Sequence, residues 1–330
     1  MIGKDEKISV LNDGGGFRAA YGVGINCVIW KYFKDQIVHV GGVSAGALNS
    51  AKIIESGSVK PLEIIWTNHI GKNGPEIIFQ SRIAAWRLIS NLMPKWLKKL
   101  LKIKDRNALF NNEGLKRLAE FLDIEKVVKS PIRLDIVVTD EKNFNQTLVI
   151  SNHDMQTEDY ENFRKFIIAS ASLMGAFEPI TIDDRPYSDG LSFDIESALN
   201  YGCTTIFVVY NNHIWLEPIV PPNIMTFDKR TRRISNVYWG KMMELYVENL
   251  MRRYPDLILA RHDCLPQPLI EAAEKAGSRA TGFNRKLIFI GPTKIIPTLY
   301  IMGFLETDKD IIKAIAHGKE VAEKVMRQLF

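Results

Sequence analysis

The sequence predicts an α/β fold in which a central, largely parallel sheet is flanked by helices. Short β-branched runs alternate with segments of helical periodicity along the 330 residues. Two successive strand-to-helix connections pass through glycine-rich turns, and no internal repeat, low-complexity tract or long Pro/Gly/Ser linker divides the chain. We therefore expect a single domain over residues 1–330.

The first unit consists of a strand, a glycine loop and a helix. ISVLN (8–12) is a short apolar run that leads into NDGGG, and apolar residues recur at helical spacing over 19–33. Gly14, Gly15 and Gly16 leave backbone N–H groups accessible with no side chain in the way. This suits an oxyanion hole or a phosphate cradle, although the GK[ST] of a Walker loop and the GxGxxG of a dinucleotide site are missing. A flexible turn is the structural alternative.

The second unit repeats this order around a serine. QIVHV is a β-branched strand, and AGALNSAKIIES (45–56) has helical spacing. Between them, Ser44 lies between Gly42 and Gly46 in the pattern GxSxG. The glycines leave room for a sharp turn that holds the serine strained and exposed, and the following helix directs its first N–H groups towards developing negative charge. Ser44 is therefore a candidate nucleophile, with a purely structural glycine turn as the alternative.

The remaining elements continue the alternation. Strands are predicted for IRLDIVVTD, TLVIS, FEPITI, TTIFVVY and KLIFIG, and helices for YENFRKFIIASAS, FDIESALN, the segment near 228–253 and DKDIIKAIAHGKEVAEKVMRQL. Between FEPITI and FDIESALN, Asp189 and Gly190 form a DG dipeptide, where a carboxylate could leave a strand end beside the serine. Because DG is a common turn pair, it is a weak signal by itself.

Taken in order, GGGFR at 14–18, GVSAG at 42–46 and DG at 189–190 resemble the patatin-like phospholipase family. The family pattern is GGGxRG, then GxSxG, then DG followed by Ala or Gly. IASASLMGAFEPITIDDRPYSDG also resembles the family's segment that leads into its catalytic aspartate, and a C-terminal strand-helix extension at 285–330 resembles that of bacterial members. The resemblance thus covers almost the whole chain.

The resemblance implies a patatin-like variant of a hydrolase fold and a serine acyl hydrolase that cleaves lipid esters, as a phospholipase A or lysophospholipase does. Ser44 would be the nucleophile and Asp189 its base, without a catalytic histidine. The oxyanion hole would use the amides of Gly14, Gly15 and Gly16. The supporting residues would be Arg18, Gly42, Gly46 and Gly190, and Arg18 would fix the loop, meet a substrate phosphate or form a plain ion pair. No metal or organic cofactor is implied.

Two departures from the family pattern leave alternatives open. Ala19 and Leu191 stand where the family has smaller residues, so both the hole and the aspartate loop could be crowded. One alternative is a non-catalytic lipid-binding protein of the same fold. Another is an esterase with a Ser-Asp-His triad, because His213 and His262 lie downstream of the aspartate. The weakest is a nucleotide-binding module built on the glycine loop.

The other four histidines are expected to be packed or solvated residues without a catalytic role. His39 is expected to be a packed strand residue. His69, His153 and His317 lie in polar or helical settings typical of solvated positions.

The amino-acid composition limits the classes of binding partner that can be expected. Lys and Arg number 43 and Asp and Glu 38, and the resulting charge of +5 is too mild for a nucleic-acid binder but compatible with an anionic membrane surface. Three scattered cysteines without CxxC spacing indicate neither a disulfide framework nor a zinc site.

MIGKDEKISV leaves no room for the apolar core of a signal peptide, and no run approaches a membrane span. We expect a cytoplasmic protein that can associate peripherally with membranes; the oligomeric state stays open.

One basic segment stands apart from the strand-helix alternation. Residues 82–104 contain seven Lys or Arg, no acidic residue and two Trp, interleaved with Leu and Ile and interrupted by Pro94. An interfacial helix buries such apolar residues at the headgroup boundary while its cations meet anionic lipid. We therefore expect a lid or a membrane-facing segment here, and an amphipathic helix packed over the core is the alternative.

Overall fold

The structure is a computed structural model that describes residues 5–71, 108, 110–143, 146–156, 159–211, 227–277, 284–294 and 308–330. The basic segment 82–104 and His213 lie outside the described residues.

The described residues form one mixed sheet of nine strands covered by helices. The strands are β1 Ile8–Asn12, β2 Ile37–Gly42, β3 Arg133–Asp140, β4 Gln146–Ser151, β5 Ile180–Ile182, β6 Arg185–Asp189, β7 Thr205–Val209, β8 Leu257–Leu259 and β9 Arg285–Ile290. The helices are α1 Ala19–Phe33, α2 Ala45–Ser56, α3 Lys60–Ile64, α4 Glu113–Glu120, α5 Ile124–Val128, α6 Tyr160–Ser170, α7 Ile195–Asn200, α8 Phe227–Arg253, α9 Gln267–Ala276 and α10 Asp308–Leu329. A π-helical turn, Ile65–Ile70, continues α3.

The sheet has the order β5-β6-β3-β2-β1-β7-β9-β8, and β4 pairs with β3 outside this path. Pairings among β1, β2, β3, β7, β8 and β9 are parallel. Strands β4, β5 and β6 join antiparallel. The predicted fold class, an α/β fold with a largely parallel sheet, is therefore confirmed.

Both faces of the central strands are buried, which explains why their sequences read as continuous apolar runs. In β1, Ile8 and Val10 belong to the core shared with α1, α2 and α10. Leu11, on the opposite face, belongs to a second core formed with α7, α8 and α9. Alternation along one strand therefore serves two helical layers. Among the described residues, no helix combines the length and the apolar character needed to cross a bilayer.

The C-terminal helix α10 packs closely against α1. A Cβ atom on Gly24 would clash with the carbonyl oxygen of Ile315, and one on Gly318 would clash with that of Tyr21, so the two backbones touch at these glycines. His317 is only 6% exposed and lies beside the Tyr21 ring, with the ring centroids 5.3 Å apart. The expectation of a solvated His317 was wrong, because this close helix crossing buries the ring.

Candidate active site

The strained turn expected at Ser44 is present between β2 and α2. Ser44 is half-buried and has φ 56° and ψ −131°, a backbone conformation that non-glycine residues rarely adopt. A Cβ atom on Gly42 would lie 2.6 Å from the carbonyl oxygen of Gly46, and one on Gly46 would lie 2.5 Å from that of Asp13. Both glycines are therefore required by the close approach of backbone segments at the turn.

The glycine loop meets this turn because β1 and β2 are adjacent and parallel, with Asn12 paired to Gly42. Loops that follow neighbouring parallel strands leave the same edge of the sheet. The N–H of Val43 donates to the carbonyl of Asn12 (3.2 Å), which joins the two loops directly. Gly14 then lies against the serine, since a Cβ atom placed on it would be 3.4 Å from Ser44 Oγ.

Buried polar groups fix the glycine loop. The N–H of Gly14 donates to Asp13 Oδ1 (2.8 Å). The buried Asn211, which follows β7, donates its Nδ2 to the carbonyl of Asp13 (2.7 Å) and to that of Gly14 (3.0 Å). No sequence pattern indicated this role, because Asn211 is distant along the chain and belongs to an ordinary NN pair.

Two backbone N–H groups of the loop remain available. Gly15 and Gly16 have φ values of 117° and 58°, in the region that favours glycine. Among the described residues, no group accepts a hydrogen bond from either N–H. The loop can therefore present these two donors to an anionic oxygen, whereas the N–H of Gly14 is already engaged by Asp13.

Asp189 reaches the same edge on an antiparallel strand. It is the last residue of β6 and pairs with Val138, two residues beyond Ile136, which pairs with Gly42. Ser44 is likewise two residues beyond Gly42. Because β4 occupies one side of β3 along Asp135–Asp140, β2 and β6 both lie on its other side, and the registers place Asp189 beside Ser44 at one height along the sheet. Gly190 follows in close contact, since a Cβ atom on it would lie 2.5 Å from the carbonyl oxygen of Val137.

The Asp189 carboxyl group is 4% exposed, and burial raises its pKa to about 6. The N–H of Leu191, which donates to Asp189 Oδ1 (2.9 Å), and the Ser44 hydroxyl lower the pKa by hydrogen bonding, while the negative charge of Asp13 raises it. A carboxylate with this pKa is a better base than an exposed one and is still ionised at neutral pH.

The two departures from the family pattern leave the site open. Leu191 adopts φ 65° and is 48% exposed, so its side chain points to solvent. Ala19 is the buried first residue of α1, and its carbonyl accepts a hydrogen bond from Asn49 Nδ2 (3.3 Å). Neither side chain is part of the described wall of the pocket beside the serine. Arg18, one of the four residues expected to support the site, is half-buried and ends the short 3-10 helix Gly16–Arg18.

An apolar pocket opens at Ser44. It has a volume of about 780 Å³ including its open mouth. Its walls come from the glycine loop, α2, α3 with its π-helical turn, α4 and the end of α6. The lining residues are Gly16, Phe17, Ser44, Ala45, Leu48, Asn49, Lys52, Leu62, Ile65, Trp66, Ile70, Leu115, Leu118, Phe121, Leu122, Ala171 and Phe177. Trp66 donates its Nε1 to Asn49 Oδ1 (2.8 Å), which satisfies both polar groups in the wall. Such a pocket suits a long hydrocarbon chain.

The described histidines are engaged elsewhere. His39 is buried in β2, where its ring nitrogens contact Ser9 Oγ (2.7 Å) and Asp135 Oδ2 (2.9 Å), as expected for a packed strand residue. His262 Nε2 bonds to the carbonyl of Phe289 in β9 (2.8 Å), and burial lowers the pKa of its ring. Because β9 is three strands from β2, the usual strand spacing puts His262 about 14 Å from the serine turn. It is therefore too far away to serve as the base in a triad.

In the ranges that the structure describes, no three His, Cys, Asp or Glu side chains converge in a way that could hold a metal ion.

Comparisons with known proteins point to one family. The sequence model described as patatin-like phospholipase matches residues 12–197, which is more than half of the chain and includes the glycine loop, Ser44 and Asp189. No curated protein sequence matches the chain.

Three solved structures illustrate the structural similarity. VipD from Legionella pneumophila is 13% identical with a TM-score of 0.43, and the match covers 98% of this chain and 67% of that one. The type III effector ExoU of Pseudomonas aeruginosa is 12% identical with a TM-score of 0.38, covering 98% and 53%. Human GIVD cytosolic phospholipase A2 is 10% identical with a TM-score of 0.44, covering 98% and 59%. The chain thus spans about half to two thirds of these proteins.

Proposed function

The chain belongs to the patatin-like phospholipase family and is a lipid-hydrolysing enzyme, and we propose that it is a serine acyl hydrolase acting through a Ser44-Asp189 dyad. One observation carries the proposal. Ser44 lines an apolar pocket, with the buried Asp189 beside it and with two N–H groups of the glycine loop that have no acceptor among the described residues.

In the first half of the reaction, Ser44 Oγ attacks the carbonyl carbon of a lipid ester, and its proton passes to Asp189. A serine hydroxyl needs such a base because it is a weak nucleophile. The N–H groups of Gly15 and Gly16 hold the oxyanion that forms, and the N-terminus of α2 adds a favourable dipole. Loss of one such donor costs on the order of 3 kcal/mol in comparable sites.

In the second half, the oxyanion collapses, the carbon–oxygen bond to the leaving alcohol breaks, and Asp189 returns the proton to that alcohol. Water then attacks the acyl-enzyme while Asp189 takes its proton. The fatty acid leaves, and Ser44 recovers its hydrogen. No step requires a metal ion or an organic cofactor.

The pocket supports a substrate with a long acyl chain. Its wall is almost wholly hydrocarbon and aromatic, so a chain leaves water as it enters, at roughly 0.8 kcal/mol per buried CH₂ group. Phe17 and Trp66, packed edge to face at 6.5 Å, form an aromatic part of this wall near the glycine loop.

We further propose that residues 1–330 act as one domain, with residues 82–104 as a lid or membrane-facing segment and 285–330 as the C-terminal extension. The match to the family ends at residue 197, but Asn211, from the later part of the chain, holds the glycine loop in place. This contact supports a single functional unit.

A panel of lipids tests the function. Wild type and Ser44→Ala would be incubated with phospholipids, lysophospholipids, acylglycerols and a short acyl ester, and the released fatty acid measured. We expect release by wild type alone, with Asp189→Asn equally inactive while both variants remain folded. Wild-type turnover by folded Ser44→Ala would refute the hydrolase, and active Asp189→Asn would remove only the dyad. Lipid binding without release by wild type would favour the non-catalytic lipid-binding alternative.

A further inference from the structure

Three successive residues at the C-terminal end of helix α6, Ser170 to Ser172, connect the parts of the site. The Ser170 hydroxyl accepts a hydrogen bond from the N–H of Ser44 (3.0 Å) and donates one to the carbonyl of Val137 in β3 (2.7 Å). Ala171 lines the apolar pocket. The carbonyl of Ser172 accepts a hydrogen bond from the N–H of Asp189 (3.0 Å).

The N–H of Ser44 needs a partner from outside its own helix. Ser44 precedes the first residue of α2, and N–H groups at a helix N-terminus have no carbonyl within the helix to bond. Its φ of 56° is also strained, and such a conformation persists only where the surroundings hold it. The fully buried Ser170 hydroxyl supplies that restraint from another element.

The other end of this connection lies beside Asp189. Val137, whose carbonyl accepts from Ser170, precedes Val138, the residue that pairs with Asp189. The Ser170 hydroxyl therefore links the backbone of Ser44 to strand β3, next to Val138, which pairs with Asp189. This one hydroxyl group thus connects the surroundings of Ser44 with those of Asp189.

We propose that Ser170 is a positioning residue for acyl transfer, whose hydroxyl holds the Ser44 peptide so that Oγ faces Asp189. It does not touch the substrate. This inference rests on the proposed serine hydrolase function. Removing the hydroxyl takes away the partner of the Ser44 N–H and one donor to the carbonyl of Val137, so the strained turn can relax and Oγ can move away from the carboxylate.

Ser151 provides a matched control. It is a buried serine at the end of β4, and its hydroxyl also accepts a backbone N–H, that of His153 (3.2 Å). It pairs with Asp135 of β3, three residues before Val138, which pairs with Asp189. Ser151→Ala therefore removes a buried hydroxyl that accepts a backbone N–H, on the side of β3 away from the proposed dyad.

The test compares wild type, Ser170→Ala, Ser170→Thr and Ser151→Ala with a soluble ester and with a fluorophosphonate. In the second reaction, the Ser44 Oγ–P bond forms, the P–F bond breaks, fluoride leaves and Asp189 takes the hydroxyl proton. The rate of this phosphonylation measures how well Ser44 Oγ is aligned with Asp189, and it does not require the ester substrate to bind in a productive position. Thermal unfolding of each variant accompanies both measurements.

We expect Ser170→Ala to lower kcat by about tenfold to a hundredfold with KM nearly unchanged, since misplacement by about 1 Å costs up to a hundredfold. Its phosphonylation rate should fall in parallel, Ser170→Thr should recover most of both, and Ser151→Ala should keep both near wild type. Wild-type kcat and phosphonylation in Ser170→Ala, or equal losses in Ser151→Ala, would overturn the inference while wild type stays active. An inactive, unmodified wild type would instead refute the proposed function, and this inference with it.

Discussion

A Cβ atom on Gly14 would lie 2.8 Å from the Cβ of Ser44, closer than real Cβ atoms approach one another. The glycine loop and the serine turn are therefore fitted to each other without spare room. A side chain at position 14 would push against Ser44, whose backbone is already strained, at φ 56°. Glycine at position 14 is a requirement of this contact and not of its own backbone conformation.

Gly14→Ala should accordingly lower kcat/KM by at least about tenfold, because either the loop or the serine must move out of alignment. Steady-state kinetics on a soluble ester would measure the loss. Gly57→Ala is the control: Gly57 has φ 60°, and a Cβ there would meet no atom of the described residues within 4 Å, so this variant should lose stability and keep its activity. Wild-type kinetics in folded Gly14→Ala would contradict the tight fit.

The activity should depend on the ionisation of Asp189. Burial raises the pKa of this carboxyl group to about 6, and only the ionised form can accept the serine proton. As the pH falls below about 6, kcat/KM should decrease about tenfold per pH unit, with a plateau above it. The profile would be measured with an ester that does not itself titrate. An acid limb centred near pH 4 would show that the base is not a buried carboxylate.

The same raised pKa predicts that Asp189→Asn stabilises the protein at neutral pH. Between about pH 4 and pH 6, the unfolded chain loses the proton while the folded chain keeps it, so the stability of wild type falls as the pH rises through this window. The loss is on the order of 3 kcal/mol at pH 7, and asparagine avoids it. Urea unfolding of both proteins at pH 7 and pH 4 would measure the difference, which should shrink at the lower pH. A less stable Asp189→Asn at pH 7 would contradict this assignment.

The histidine variants separate the dyad from a triad better than a pH profile does. The pKa of Asp189, about 6, is close to the value near 6.5 of a free imidazole, so both mechanisms lose activity in the same pH range. We expect His213→Gln and His262→Gln to stay within a few-fold of the wild-type rate, since neither would remove an interaction of the transition state. A loss of a hundredfold or more in folded His213→Gln would make that imidazole the base and Asp189 its partner.

Vesicle binding tests the basic segment 82–104. Binding should rise with the fraction of anionic lipid and weaken with salt, because exposed charges more than about 10 Å apart are largely screened at 0.1 M. Replacing Trp86 and Trp96 together by alanine should weaken it further. Co-sedimentation with neutral and anionic vesicles at two salt concentrations would measure both effects. Equal, salt-independent binding to the two kinds of vesicle would favour a helix packed on the core.

The sequence by itself determined the local units of the fold. Strand β1 and helices α1, α2 and α10 have the predicted bounds, because apolar periodicity and glycine punctuation are properties of neighbouring residues. The GxSxG pattern likewise identified the strained turn, since only glycines at both flanks allow the backbone to close around Ser44.

Tertiary structure decided how these units meet. Strand β6 was missed because it is short, contains Pro186 and follows a turn of Asp183 and Asp184, whose positive φ values replace the usual Asn-Gly signal. Yet the antiparallel register of β6 with β3 places Asp189 at the same height along the sheet as Ser44. Contacts from Ser170 and Asn211 to the site join residues 126 and 197 positions apart. Such contacts leave no periodic trace in the sequence, because the geometry that selects these side chains exists only after the sheet has assembled.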